Sequence, residues 1–238
     1  GRDRADLGSR IIQGTTDSIS TLPEEAFRTL RTNLLFSDGT HSSRTIAVTS
    51  ARVGEGKTTV TANLAISLAE QGMRVLLVDG DLRRPRLHAT FGAKLAPGLA
   101  DAIVGTVSPM AAIQTTRYSS VFLLTAGGAT PRAVERFGVT ALRDVLTGLA
   151  REFDFVIVDT PPILAAADAT VVAAISDAVV FVIRAGSTSQ DEGRRALRQL
   201  ERVGGPVAGA VLNDRDARTV GADPYYSDIR GYVTASPA

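Results

Sequence analysis

One segment of the sequence has the residue types and spacing of a phosphate-binding loop. Ala51–Thr58 reads ARVGEGKT, and it lies between an apolar run and a helical stretch. It matches the P-loop pattern G-x-x-x-x-G-K-[ST], with Ala51 in place of the first glycine. Gly54 and Gly56 let backbone N–H groups curl around phosphate oxygens, and the helix N-terminus that follows favours anions. The segment therefore predicts a site for ATP with Mg²⁺.

The side chains of this loop have separate expected roles. Lys57 would neutralise the β- and γ-phosphates, and the Thr58 hydroxyl would ligate Mg²⁺. We expect the nucleotide to contact six consecutive residues: Gly54, Glu55, Gly56, Lys57, Thr58 and Thr59.

Aspartates end two other apolar runs. Asp79 is the last residue of the run VLLVD, and Asp81 follows it two residues later. Asp159 is the last residue of the run FVIVD. An aspartate at such a strand end can hold Mg²⁺ directly or through water, although any one of them could instead cap the next helix. We predict Lys57, Asp79, Asp81 and Asp159 as catalytic residues, and Thr58, Asp79 and Asp159 as metal ligands.

The elements that position these residues alternate along the chain. Strand-like runs are predicted at Thr45–Thr49, Arg74–Asp79, Val121–Thr125, Phe155–Asp159, Ala178–Ile183 and Val207–Leu212. Helical stretches are clearest at Glu24–Phe36, Lys57–Gln71, Val134–Arg151 and Gln190–Val203. Because the runs are continuously apolar, they predict a mostly parallel sheet covered on both faces, a doubly wound α/β domain. Ligands in such folds bind beyond the carboxyl ends of the strands, where the aspartates fall.

Composition limits the alternatives. The chain has 238 residues, 44% of them hydrophobic, which is enough for a full core. A net charge of +1 gives no global field for nucleic acid, so we expect no nucleic-acid partner. Cysteine is absent, which excludes disulfides and cysteine-based metal sites. We divide the chain into a linker at 1–23, a P-loop domain at 24–213 and a polar tail at 214–238.

Taken together, these motifs resemble the bacterial tyrosine kinases of capsule and exopolysaccharide synthesis, within the Min/Par-type group of P-loop ATPases. In that family D-x-D-x-R-x-P is a kinase-specific second Walker motif, and Asp79, Asp81, Arg83 and Pro85 match it. The resemblance runs from about Glu24 to Asn213. It implies an ATP- and Mg²⁺-dependent protein-tyrosine kinase in which Asp79 or Asp81 is the base that takes the tyrosine proton.

Two departures from the family pattern are Val53 in the loop and a degenerate form, at 130–136, of the family's Pro-rich segment. Val53 stands where the family often has proline, and it replaces no phosphate or metal ligand. Arg52 stands where Min/Par ATPases carry a second lysine, which favours the kinase branch. The competing interpretation is a Min/Par-type ATPase switch that hydrolyses ATP and phosphorylates nothing.

The resemblance also implies partners. Glu25, Arg28 and Arg31 match the family's E-x-x-R-x-x-R helix, which packs subunits into a ring; the alternative is a solvated helix face with weak ion pairs. Family members act at the inner, cytoplasmic face of the cell membrane with a transmembrane adaptor that is fused or separate. A cognate tyrosine phosphatase would reverse their phosphorylation.

Three of the four tyrosines, Tyr225, Tyr226 and Tyr232, lie in the polar tail. The family autophosphorylates such a cluster on a neighbouring subunit, so we predict these residues as acceptors. Packing on the domain surface is the alternative. Asn213, at the end of the last apolar run, is expected near the adenine, although Asn-Asp is also ordinary turn chemistry.

Overall fold

The computed structural model describes residues 22–36, 45–128 and 130–213. Most of the predicted linker and the whole tail, with Tyr225, Tyr226 and Tyr232, therefore lie outside the described residues. The strands are β1 Thr45–Ser50, β2 Val75–Asp79, β3 Gln114–Thr115, β4 Val121–Leu124, β5 Phe155–Asp159, β6 Ala178–Arg184 and β7 Val207–Asn213. The α-helices are α1 Leu22–Phe36, α2 Lys57–Ala69, α3 Leu87–Phe91, α4 Leu99–Val104, α5 Pro131–Arg136, α6 Val139–Leu149, α7 Ala167–Ile175 and α8 Gln190–Arg202. A 3₁₀ turn covers Met110–Ala112.

The strands form one sheet in the order β3-β4-β2-β5-β1-β6-β7. All neighbours pair in parallel except β3, which runs antiparallel to β4 at one edge. Parallel neighbours need crossover connections, and the helices supply them. The mostly parallel, doubly wound α/β fold is thus confirmed. It places the ends of β1, β2 and β5, three adjacent strands, at one edge.

Helices cover both faces of this sheet. Every residue of β1, β2, β4 and β5 is buried except Phe122 and Phe155, which are partly buried. On one face Leu64 and Leu68 of α2 pack on the strands, and on the other Leu142 of α6 and Leu200 of α8 do so. The continuous apolar runs arise because alternate residues of each strand enter different cores.

The single helix predicted over Val134–Arg151 is wrong. Two helices, α5 and α6, replace it, and Gly138 between them is extended with φ −134° and ψ 167°. Phe137 turns into the core at this break. The amphipathic pattern does not show this interruption, because Gly138 is an isolated glycine and such glycines also occur inside helices.

Strand β7 also departs from expectation. Among the described strands it pairs only with β6, and Val207 and Leu212 are 38% and 53% exposed. Its apolar run predicted burial on both faces, but an edge strand has only one neighbour and its flanks are open.

Among the described helices none is long and apolar enough to cross a bilayer.

Candidate active site

The P-loop connects the end of β1 to the start of α2 at the centre of the sheet. Gly54 and Gly56 have φ of +84° and +89°, the left-handed region that glycine adopts without steric cost. At Gly56 there is also no room for a Cβ, because the Asn213 amide occupies that place. Both glycines are thus fixed by the loop geometry, as the motif predicted.

Asp159 lies directly beneath the loop. Thr58 Oγ1 donates a hydrogen bond to Asp159 Oδ2 at 2.6 Å, and Thr61 Oγ1 lies 3.4 Å from the other carboxylate oxygen. Burial raises the pKa of Asp159 to about 6, against the Thr58 hydrogen bond and the Lys57 charge, which lower it. A hydroxyl and a buried carboxylate in contact are hard oxygen ligands of the kind that suit Mg²⁺.

Lys57 is 8% exposed and begins α2. Burial lowers its pKa, while the negative charges of Asp159, Asp81 and Glu55 oppose that shift. Among the described residues its ammonium makes no ion pair. A buried cation with carboxylates nearby but no direct partner is suited to receive a phosphate oxygen.

Asp79 is fully buried at the end of β2, in register with Asp159 of β5. Burial, and next the charge of Asp159, raise the pKa of Asp79 to about 7. Both of its oxygens accept backbone N–H groups: Oδ1 from Asp81 at 3.3 Å, and Oδ2 from Arg86 and Leu87 at 3.0 Å. This carboxylate therefore shapes the loop that carries Asp81.

Asp81 is only partly buried. Its Oδ1 accepts the N–H groups of Arg83 and Arg84 at 3.2 and 2.9 Å, and its Oδ2 has no partner among the described residues. The Arg83 guanidinium turns aside, where Nε donates to Asp168 Oδ2 at 3.1 Å. One oxygen of Asp81 is thus available at the site.

Gly80 brings these two acidic strand ends together. Its N–H donates to the Asp159 carbonyl at 2.8 Å, and a Cβ here would lie 2.9 Å from that same oxygen. Only glycine fits between the two strands at this point, which explains why glycine separates the two aspartates.

The Glu55 side chain does not face outward, as a phosphate contact would. It is 1% exposed, its Oε2 accepts the Arg52 N–H at 2.6 Å, and its Oε1 accepts the Thr188 hydroxyl. The carboxylate is therefore committed to the protein, and only the backbone of Glu55 is left for the predicted nucleotide contact.

Asn213 reaches the P-loop from the end of β7. Its Nδ2 donates to the Glu55 carbonyl at 2.9 Å. The contact of Asn213 with the adenine stays a prediction. The hydrogen bond to Glu55 gives Asn213 a role in holding the P-loop, which its place in a turn-forming Asn-Asp sequence did not suggest.

The predicted interface residues of α1 behave differently from one another. Arg28 pairs with Glu25 at 3.3 Å on the exposed surface. Arg31 instead donates to the Ser67 carbonyl at 2.7 Å and to its hydroxyl at 3.1 Å, which fastens α1 to α2. Ring assembly stays a prediction, and Arg31 already has partners within its own chain.

The structure thus brings together Lys57, Thr58, Asp79, Asp81 and Asp159, the predicted catalytic and metal set, at one sheet edge. Sequence reasoning missed Thr61, Asp168 and Thr188. Only Thr188 had a nearby signal, the capping box of Ser189 and Glu192 that begins α8.

Among the described residues no three acidic, histidine or cysteine side chains cluster as a metal site. Mg²⁺ bound with phosphates needs only one or two carboxylates.

The fold and the loop define a P-loop ATP-binding protein. A family model described as an AAA domain matches residues 43–204. The chain is 34% identical over 214 residues to tyrosine-protein kinase YwqD of Bacillus subtilis, covering 89% of this chain and 90% of that one. It is 32% identical to tyrosine-protein kinase CpsD of Streptococcus agalactiae, covering 80% and 82%.

Solved structures agree. The chimerical protein CapA2B2 superimposes with a TM-score of 0.80 at 29% identity, covering 87% of this chain and 90% of that one. The kinase domain of Escherichia coli tyrosine kinase ETK gives 0.76 at 33% identity, covering 80% and 74%. The septum site-determining protein MinD of Pyrococcus horikoshii, complexed with Mg-ADP, gives 0.64 at 30% identity, covering 74% and 71%. The chain belongs to the bacterial tyrosine-kinase family of capsule and exopolysaccharide biosynthesis.

Proposed function

We propose that this chain transfers the γ-phosphoryl group of Mg²⁺-bound ATP to tyrosines in its own tail, on a neighbouring copy. The observation that carries this proposal is the meeting of Lys57, the Thr58–Asp159 pair and the partly open Asp81 at the end of three adjacent strands. One side of this site offers a cation and N–H groups for phosphates, and the other offers a free carboxylate oxygen.

Mg²⁺ would be held by the Thr58 hydroxyl and by Asp159, directly or through water. The hydroxyl–carboxylate contact of 2.6 Å and the burial of Asp159 support this placement. When bound, the ion neutralises charge on the phosphates and orients them. The ligand role of Asp79 stays a prediction. Its oxygens accept three backbone N–H groups, so we also give it the positioning of the Asp81 loop.

Asp81 is the base that we favour. A tyrosine hydroxyl has a pKa of about 10, so its proton must leave as the phosphoryl group arrives. The tyrosine oxygen forms a bond to the γ-phosphorus, the bond to the β–γ bridging oxygen breaks, and the proton moves to Asp81. Lys57 stabilises the charge on the transferring group. Asp79 is the less accessible of the two aspartates, because it is fully buried and both of its oxygens already accept backbone N–H groups.

The acceptors would be Tyr225, Tyr226 and Tyr232, which follow Asn213 by 12 or more residues. Tyr118, the remaining tyrosine, is less suitable because it is only partly exposed, its ring packs on Phe91 and its hydroxyl accepts a hydrogen bond from Arg117 at 2.9 Å. Fully extended, the 25 residues that follow β7 in the sequence could span up to about 80 Å, which supports transfer to another copy.

The test is phosphopeptide mass spectrometry after incubation of the purified chain with ATP and Mg²⁺. We expect phosphate on the tail tyrosines, no signal in a variant with Tyr225, Tyr226 and Tyr232 changed to Phe, and a native signal in Tyr118→Phe. Phosphate confined to Tyr118 would refute the tail as acceptor. ATP hydrolysis without any phosphotyrosine would instead favour the Min/Par-type switch, which the likeness to MinD keeps as the second candidate.

We further propose that the chain acts at the inner face of the cell membrane beside a transmembrane adaptor, as a ring-forming homo-oligomer opposed by a tyrosine phosphatase. The family membership and the exposed Glu25–Arg28 pair of α1 support this arrangement. Co-purification with a separately expressed adaptor, with and without Arg28→Ala, tests the adaptor and the ring independently.

A further inference from the structure

The phosphate loop is fastened from behind at a junction of three chain segments. We define the loop junction by Arg52, Gly54, Glu55, Arg184, Thr188 and Asn213. It joins the P-loop to the turn between β6 and α8 and to the last residue of β7.

Glu55 is the centre of this junction. Its carboxylate is 1% exposed and has two oxygens that each accept one donor, the Arg52 N–H and the Thr188 hydroxyl. A buried carboxylate needs such partners, because an unpaired buried charge is far more costly than an exposed one. The shape of the loop between Arg52 and Gly56 therefore depends on the donor that Thr188 supplies.

Thr188 uses its hydroxyl in both directions. It donates to Glu55 Oε1 and accepts the Arg184 N–H at 3.0 Å. The Arg184 guanidinium in turn donates to the Gly54 carbonyl at 3.2 Å. The Thr188 hydroxyl thus links Glu55 of the P-loop to Arg184 at the end of β6, and Arg184 makes a second contact with the same loop.

Asn213 completes the junction. It donates to the Glu55 carbonyl at 2.9 Å, and its own carbonyl accepts the Ala185 N–H at 2.9 Å. These contacts orient the Glu55–Gly56 peptide, whose carbonyl is turned toward Asn213. The N–H groups of the loop would then be left for the phosphates of the nucleotide.

We propose that Thr188 is a positioning residue for nucleotide binding, which acts through Glu55 to hold the phosphate loop in its binding shape. This inference rests on the proposed placement of the nucleotide at the P-loop and not on the tyrosine acceptors. It explains why a glutamate with no outward-facing side chain occupies the phosphate loop.

The experiment is the affinity of the purified full chain for ADP with Mg²⁺, measured by titration calorimetry. Thr188→Val keeps the shape of the side chain and removes the hydroxyl, and we expect it to weaken ADP binding by about tenfold. Thr188→Ser keeps the hydroxyl and should remain within about twofold of the native chain. Thr106→Val, whose hydroxyl donates to the Asp101 carbonyl outside the junction, is the matched control and should bind natively.

A double-mutant cycle tests whether Thr188 acts through Glu55. Glu55→Gln replaces one acceptor oxygen by an amide donor and should also weaken binding by about tenfold. If the two residues act as one unit, the double variant should bind about as weakly as either single variant. Three results would each overturn the proposal. The double variant could lose affinity by the product of the two single losses, Thr188→Val could bind ADP as tightly as the native chain, or Thr188→Ser could bind it much more weakly.

Circular dichroism of each variant separates folding from positioning. Should Thr188→Val not fold, Thr188→Ala replaces it in the cycle and is judged by the same outcomes. A native chain that binds no ADP would refute the nucleotide placement itself, whereas ADP binding that is indifferent to Thr188 would refute only the positioning role.

Discussion

Thr58 Oγ1 lies 2.6 Å from Asp159 Oδ2, so the first residues of the P-loop helix and the end of β5 are in direct contact. This hydrogen bond joins two motifs that are 101 residues apart in the chain. It also lowers the pKa of Asp159 against the effect of burial, which keeps more of the carboxylate charged near neutral pH.

We expect Asp159→Asn to lower kcat/KM for tyrosine phosphorylation by at least about 100-fold, because it removes the buried charge that would face the proposed metal and phosphates. The measurement is initial rate with labelled ATP at several Mg²⁺ concentrations. Asp154→Asn is the matched control, since Asp154 precedes the opposite end of β5 and, within the described part of the chain, its side chain accepts only the Arg74 N–H at 2.7 Å. Equal rates for the two variants would contradict this assignment.

The raised pKa of Asp79 makes a prediction about stability and pH. Its folded pKa of about 7 exceeds the ordinary aspartate pKa of 3.8, so the folded state holds the proton more tightly than the unfolded state does. The contribution of this group to stability is fully present below pH about 4 and is lost as pH rises through about 7. Asp79→Asn cannot ionise and should not show that loss.

We therefore expect the difference in thermal midpoint, Asp79→Asn minus native, to move in favour of the variant between pH 5 and pH 8. The experiment uses chelator and no nucleotide, so that bound ions do not oppose the effect. Asp154→Asn again serves as control and should show no such trend. A difference that is constant across this range would show that Asp79 is charged throughout.

Gly80→Ala should destabilise the chain by about 1–3 kcal/mol, because its Cβ would lie 2.9 Å from the Asp159 carbonyl and 3.0 Å from Val158. Kinase activity should fall with it, since the strain would separate the two acidic strand ends. Gly148→Ala in α6 is the control: nothing lies within 4 Å of its Cβ, and the change should stabilise by about 0.5–1 kcal/mol. Denaturant unfolding measures both, and equal effects would contradict the steric argument.

Single substitutions of Arg28 and Arg31 should have different effects on stability and on assembly. Arg31→Ala removes two hydrogen bonds to Ser67 and should lower the free energy of unfolding by about 1–3 kcal/mol. Arg28→Ala loses only an exposed pair with Glu25 and should cost less than about 0.5 kcal/mol. In light scattering, however, Arg28→Ala should reduce the oligomer if α1 is the ring interface. An unchanged oligomer with both variants would leave α1 with a purely intramolecular role.

Local patterns were reliable where one physical constraint dominates. The apolar runs located the six principal strands to within one residue at each end, because strands buried between two helical layers have continuous apolar sequences. Failures occurred where the constraint is not local: the break at Gly138, the exposed edge at β7 and the two-residue strand β3.

The sequence by itself predicted the phosphate loop and the acidic strand ends that the fold places beside it. Positive φ requires glycine at Gly54 and Gly56. A phosphate requires a cation such as Lys57, and the parallel sheet brings aspartates at strand ends to the same edge. The tertiary structure alone decided how those groups divide their work. It buried Asp79 beneath three N–H groups, left an oxygen of Asp81 open, and turned Glu55 inward to meet Thr188. The partner that occupies each oxygen comes from elements distant in the chain, and packing rather than local pattern brings it there.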